Sequence, residues 1–221
     1  MTSFEAAADR SNPNSFGFAP NPARESLSHA ERGEASKRVV TGFGFWIFLL
    51  SDIVMFSAFF ATYAVLFNET AGGPAARDIF KISSAAWETA FLLVSSFFCG
   101  VASIGSRAHR GSLFYVGMAA TFVFGGAFLA VEITEFADLI SKGYGPTRSA
   151  FLSAFFALVG CHGLHVSVGL LWLLTMVAQV FAKGYRADIL RRLLCFSLFW
   201  HALDIIWVGI FTVVYLISTG R

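Results

Sequence analysis

At 221 residues, 56% of them hydrophobic and 26 of them Phe, the chain is far too apolar for an ordinary water-soluble domain. Its 16 Lys and Arg against 14 Asp and Glu leave a net charge of only +2, with no basic stripe, so nothing argues for a nucleic-acid partner. Cys99, Cys161 and Cys195 all fall in apolar runs without CxxC or zinc spacing, which makes them packing residues and neither a disulfide framework nor a metal site.

Residues 1–41 are rich in Asn, Pro, Ser, Ala and charge, and predict a disordered tail. The first apolar run starts too late and is too long for a secretory signal. Residues 42–221 then carry five runs near 42–67, 84–106, 112–134, 149–181 and 193–217. Each reaches the roughly 20 residues that a helix needs to cross a bilayer. The expected fold is an all-α polytopic membrane protein, a bundle of five transmembrane helices. Arg24, Arg32, Lys37, Arg38, Arg107, Arg110, Lys183, Arg186, Arg191 and Arg192 lie on one side of this topology. Arg77, Lys81, Lys142, Arg148 and Arg221 lie on the other. The positive-inside rule then predicts a cytoplasmic N-terminus and a C-terminus outside. The small-xxx-small pairs Ser96/Gly100, Gly126/Ala130 and Gly163/Ser167 predict close helix approach.

Ionisable groups inside such runs are costly in lipid and mark protein-facing sites. Asp52 sits in the middle of the first run, His165 in the fourth and Asp204 in the fifth. His162 and His165 are three residues apart, as are His201 and Asp204, so the latter pair is placed to hydrogen-bond directly or through one intermediary. Trp200 and Trp207 flank that pair. Glu88, Glu132 and Glu135 near the outer ends of the second and third runs predict interfacial anchors, as do Trp87, Tyr144 and Tyr215. Three readings fit the polar residues: an interhelical network, a proton path, or ligation of a haem by His162 or His165 with His201. A di-iron centre would need several histidine boxes, and a serine protease a GxSG motif; neither is present.

The segments FGFWIFLLSDIVMFSAFFATYAVL, GYGPTRSAFLSAFFALVGCHGLHVSVGLLW and LFWHALDIIWVGIFTVVYL resemble subunit III of the haem–copper respiratory oxidases. The likeness runs from about Gly42 to the C-terminus and is greatest to the quinol-oxidizing, cytochrome bo-type branch. It implies an accessory subunit in a bacterial inner membrane, within a proton-pumping complex that oxidizes ubiquinol and reduces oxygen to water. The expected partners are subunit I, directly, with subunits II and IV of the same complex and membrane phospholipid. The resemblance implies no redox centre on this chain, with haems and copper in subunit I, and a part in assembly, lipid binding and sustained proton uptake. Asp52 matches the family's buried carboxylate, where many cytochrome c oxidase members carry Glu, and is the proton-related residue. Glu132, His162, His165, Trp200, His201, Asp204 and Trp207 fall on motif positions that look structural or lipid-lining, and none is catalytic. A different class of function, a self-sufficient b-haem electron carrier or a proton-coupled transporter, is the alternative; the transporter would usually show an internal repeat, and none is visible.

Overall fold

The computed structural model describes residues 37–73, 76–79 and 82–217. Five long helices dominate it: α1 (Lys37–Leu66), α2 (Ile82–Arg107), α3 (Gly111–Ser141), α4 (Ala150–Lys183) and α5 (Ala187–Ile210). A single helical turn, Ala76–Ile79, precedes α2, and α5 runs on as a π-helical segment, Phe211–Ile217. All five are long and apolar enough to cross a membrane. The expected tail lies mostly outside the described residues, but its last residues, 37–41, already belong to α1.

The helices overrun the hydropathy boundaries for a physical reason. Apolar runs locate the part that crosses hydrocarbon, whereas backbone hydrogen bonding carries a helix on into the interface. Thus α3 extends seven residues beyond position 134, and α5 starts six residues before 193. Polar signals set the actual ends. Gly143, at φ +79°, lets the chain leave α3, with the amide of Tyr144 returning to the carbonyl of Leu139 at 2.9 Å. Ser149 caps α4 by accepting from the amide of Leu152 at 3.2 Å, and Gly184, at φ +69°, closes it.

The helices α2 and α3 form the most extensive pairing, an antiparallel hairpin. Its close approach is made by glycines outside the expected pairs. A methyl group at Gly117 would lie 2.8 Å from the Ala102 Cβ, and one at Gly105 would lie 2.8 Å from the amide nitrogen of Phe114. Gly100 and Gly126, by contrast, face open space. Small residues permit close approach only where the helix rotation points them at a neighbour. The helix α1 packs against α4 and α5. Leu49, Phe56 and Tyr63, seven residues apart, are its buried stripe, and most other apolar side chains along it are exposed.

The loops confirm the alternation of the spans. At one end of the bundle Tyr185, after α4, packs edge-on against His109 of the α2–α3 turn and Phe114 in the first turn of α3, at 5.5 and 5.8 Å. At the other end the amide of Phe151 donates to the carbonyl of Glu69, joining the chain after α1 to the start of α4.

Replacing Gly117 by Val is expected to destabilise the bundle by about 1–3 kcal/mol, because the added atoms meet the Ala102 backbone. The Gly126→Ala variant, with open space at that position, should be neutral within about 0.5 kcal/mol. Denaturation of both variants in mixed micelles checks the contrast, and equal losses would refute this account of the α2–α3 contact.

Candidate functional site

The bundle interior is organised by two indoles on α5. Trp200, 2% exposed, donates its Nε1–H to the Ser95 hydroxyl of α2 at 3.2 Å. The ring fills space left by glycines on two further helices: added methyls would meet Trp200 carbons at 2.9 Å from Gly125 of α3 and 2.8 Å from Gly169 of α4. Ser95 in turn donates to the carbonyl of Thr121 at 3.0 Å, and the Thr121 hydroxyl stands 3.3 Å from the carbonyl of Ser95 and 2.8 Å from that of Gly117. A buried indole requires such an acceptor.

Two helical turns on, Trp207 repeats the device. Fully buried, it donates to the Thr89 hydroxyl of α2 at 3.0 Å and lies 4.6 Å from the Phe128 ring of α3 and 5.2 Å from the His162 ring of α4. His162 is fully buried between Phe56, Phe128 and Trp207, and neither ring nitrogen has a partner among the described residues. Glu88 and Glu132, 0% and 4% exposed, are not interfacial anchors but buried groups. Glu132 can enter the bundle because Gly163 has no side chain; a methyl there would be 2.9 Å from the Glu132 Cδ. Both Glu88 oxygens lack a partner among the described residues, and Glu132 and Glu135 act on this carboxyl through space. Tyr215 is likewise buried and no anchor, because the π-helical turn brings it 6.4 Å from Trp207 and 6.3 Å from Phe211. Trp87 is exposed and Tyr144 half-buried.

The mid-helix ionisable groups fall into two separate places. Asp52 is half-buried on α1. It makes no hydrogen bond or ion pair among the described residues. His165, one turn beyond Cys161, holds its Nδ1 2.7 Å from the Cys161 carbonyl and packs 5.3 Å from the Phe56 ring. His201 and Asp204 face α2 instead. The His201 Nδ1 is 2.6 Å from the Ser96 hydroxyl, and Asp204 lines the same surface between α2 and α5, with its buried Oδ1 lacking a partner among the described residues. His162 thus packs against Trp207 of α5, whereas His201 is held toward Ser96 of α2. Among the described residues no group of three or more His, Cys, Asp or Glu could hold a metal ion.

No family model matches the chain. Individual relatives do. The chain is 52% identical over 182 residues to cytochrome bo(3) ubiquinol oxidase subunit 3 of Pseudomonas aeruginosa, covering 80% of this chain and 85% of that one. It is 43% identical over 191 residues to the protein of the same name from Buchnera aphidicola, covering 86% and 91%. It is 39% identical over 204 residues to quinol oxidase subunit 3 of Bacillus subtilis, covering 88% and 99%. The chain belongs to the quinol oxidase subunit 3 family.

In this family member the Ser95, Ser96, Thr89 and Thr121 hydroxyls carry contacts that reading the sequence did not single out. Serines and threonines in a membrane helix commonly bond their own preceding turn, as Ser57 does to Ile53 at 2.7 Å, so composition alone does not distinguish those that bridge helices. Thr89, Ser95 and Ser96 lie within seven residues of one another on α2, and Thr121 lies on α3.

In a double-mutant cycle, Trp200→Phe and Ser95→Ala should each destabilise the bundle and couple by about 0.6 kcal/mol, with about 1.7 kcal/mol as the upper limit for such bonds. Additive losses, measured by denaturation in mixed micelles, would show that the indole N–H does not depend on Ser95.

Proposed function

We propose that this chain is the accessory subunit 3 of a cytochrome bo-type ubiquinol oxidase in a bacterial inner membrane, with its N-terminus in the cytoplasm. The observation that carries this reading is the 52% identity to a ubiquinol oxidase subunit 3 through most of both chains. The catalytic subunit I supplies the haems and copper. The complex oxidizes ubiquinol, reduces oxygen to water and takes up protons from the cytoplasm. This chain's part is structural: a five-helix scaffold beside subunit I that keeps it assembled, carries phospholipid and sustains its proton uptake.

Two features support that role. The helix α1 leaves Val54, Ile53, Ile47 and Phe43 uncovered along its length, a surface suited to subunit I or lipid. Asp52, half-buried at mid-helix without a partner among the described residues, is a carboxyl in a costly place. A neighbouring subunit that offers it a donor, or exchanges a proton with it, relieves that cost. Glu132, His162, Trp200 and Trp207 hold helices together, and His165 shares the Asp52 side of α4.

The test is purification of the complex on a C-terminal tag, followed by subunit identification, a haem spectrum and ubiquinol-dependent oxygen uptake. Recovery of a haem- and copper-bearing oxidase subunit with activity is expected; haem that stays on the isolated chain would overturn the reading. The Asp52→Asn variant is expected to assemble like the natural chain. The Asp52→Leu variant should lose subunit I or show turnover that declines with successive cycles. Identical assembly and turnover in all three would remove Asp52 from the functional residues.

A further inference from the structure

At the end of the bundle where α2 gives way to α3, a cavity of about 230 Å³ opens between the last turn of α2 and the first turns of α5. Ser103, Ser106 and Arg107 line it from α2, and Leu190, Arg191 and Leu194 from α5. We propose that this cavity binds the headgroup of an anionic phospholipid, with the phosphate between Arg107 and Arg191. The inference deepens the phospholipid-carrying part of the proposed role by assigning it a place and a headgroup charge. It rests on that reading only in setting the chain in a membrane, and needs no particular oxidase partner.

The charge calls for an anion. Arg107 and Arg191 make no ion pair or hydrogen bond among the described residues. Arg110, Lys183, Arg186 and Arg192 add positive charge at the same end. The one carboxylate of these two loops and the helix turns beside them is Asp188, which pairs with Arg186 at 3.5 Å and does not line the cavity. The start of α5 opens on the same space: Ala187 lines it, and Arg186 gives the first amides no side-chain cap. Unpaired amides at a helix start favour negative charge. The Ser106 hydroxyl donates to the carbonyl of Ser103 at 2.8 Å, which leaves the Ser103 hydroxyl as the neutral donor. Guanidinium groups match the paired oxygens of a phosphate. An ammonium-bearing headgroup would set a third cation against the two arginines, so the ligand is a phospholipid with net negative charge.

The position selects a lipid over a free anion. Ala187, Leu190, Arg191 and Leu194 occupy positions i, i+3, i+4 and i+7, one stripe of α5 about 10 Å long. The stripe passes from the polar start of the helix to a leucine inside its apolar run. The helix α2 runs the opposite way, so Arg107 stands at its polar end and Ser103 lies one turn deeper. Beyond Leu194 and Ser103 both helices continue as membrane spans. The cavity thus has arginines at the membrane boundary and leucines toward the hydrocarbon. A phospholipid carries the same order, phosphate and glycerol first and acyl chains beyond, whereas free phosphate would engage the arginines and leave the leucines bare. Basic pockets between membrane helices are a recurrent seat for anionic headgroups.

Photoactivatable phosphatidylglycerol in phosphatidylcholine nanodiscs, holding the complex purified on this chain, tests this. Attachment is expected within residues 103–107 and 187–194. Excess unlabelled phosphatidylglycerol should displace it, and excess phosphatidylcholine should not. Replacing both arginines, Arg107→Gln with Arg191→Gln, should lower the attachment several-fold, while Arg107→Lys with Arg191→Lys retains more of it. Arg110→Gln removes an exposed charge outside the cavity and should leave attachment unchanged, and melting of the bundle should be alike in every variant. Equal displacement by phosphatidylcholine, displacement by free glycerol phosphate, or an equal loss in Arg110→Gln would overturn the inference. So would no attachment at these segments, the outcome if an acidic stretch of another polypeptide fills the cavity. Absence of every other oxidase polypeptide from the purified material would defeat the subunit reading, while the labelling of this chain would still decide the lipid site.

Discussion

The indole of Trp200 is the point at which α2, α3, α4 and α5 meet. Its N–H bonds Ser95, and the edges of its ring occupy the spaces above Gly125 and Gly169. Inside a bilayer the hydrophobic effect does not draw helices together, because lipid tails are as apolar as the side chains they would replace. Association therefore rests on close packing and interhelical hydrogen bonds. A large flat ring with one polar atom supplies both, provided that glycines on the facing helices leave room and a hydroxyl lies where the N–H points.

Trp207 applies the same solution nearer the end of the bundle at which α1 ends and α2 begins, with Thr89 as acceptor and Phe128 and His162 as ring neighbours. Between them the two indoles fix the rotation of α5, and that rotation decides everything on its other side. With Trp200 and Trp207 turned inward, His201 and Asp204 turn to α2, while Phe199 and Phe196 meet Trp172 of α4. The widened turn at Phe211–Ile217 then brings Tyr215 back into the core. Glu88 and Glu132 are buried toward that same end, Glu132 in the space left by the missing side chain at Gly163.

The bundle thus separates its polar residues by task. Ser95, Thr121, Thr89 and the two indoles satisfy one another and bind the helices. Asp52 on α1 makes no hydrogen bond among the described residues, and the buried Oδ1 of Asp204 on α5 has no partner among them. For a subunit of a larger membrane complex this division has a physical logic. Internal bonds set the shape of the isolated chain, and unmet groups on its flanks favour the state in which neighbours cover them.

Sequence by itself determined the number of spans and the all-helical fold, because a bilayer imposes a minimum apolar length, and its HGLHV and WHALDIIW motifs pointed to the family. It also located the ionisable groups inside the spans, since such a group in an apolar run stands out, but not the Thr89, Ser95 and Thr121 hydroxyls that join the helices. It did not reveal which way those residues face. A soluble helix betrays its buried side by polar residues on the other, but a membrane helix is apolar toward both lipid and core, so periodicity carries little direction. Gly100 and Gly126 were therefore expected at the close contacts that Gly105 and Gly117 make, and Glu88, Glu132 and Tyr215 looked like interfacial residues. Only the tertiary structure decided these, because helix rotation is set by what each neighbour leaves empty: Gly125 and Gly169 for Trp200, and Gly163 for Glu132.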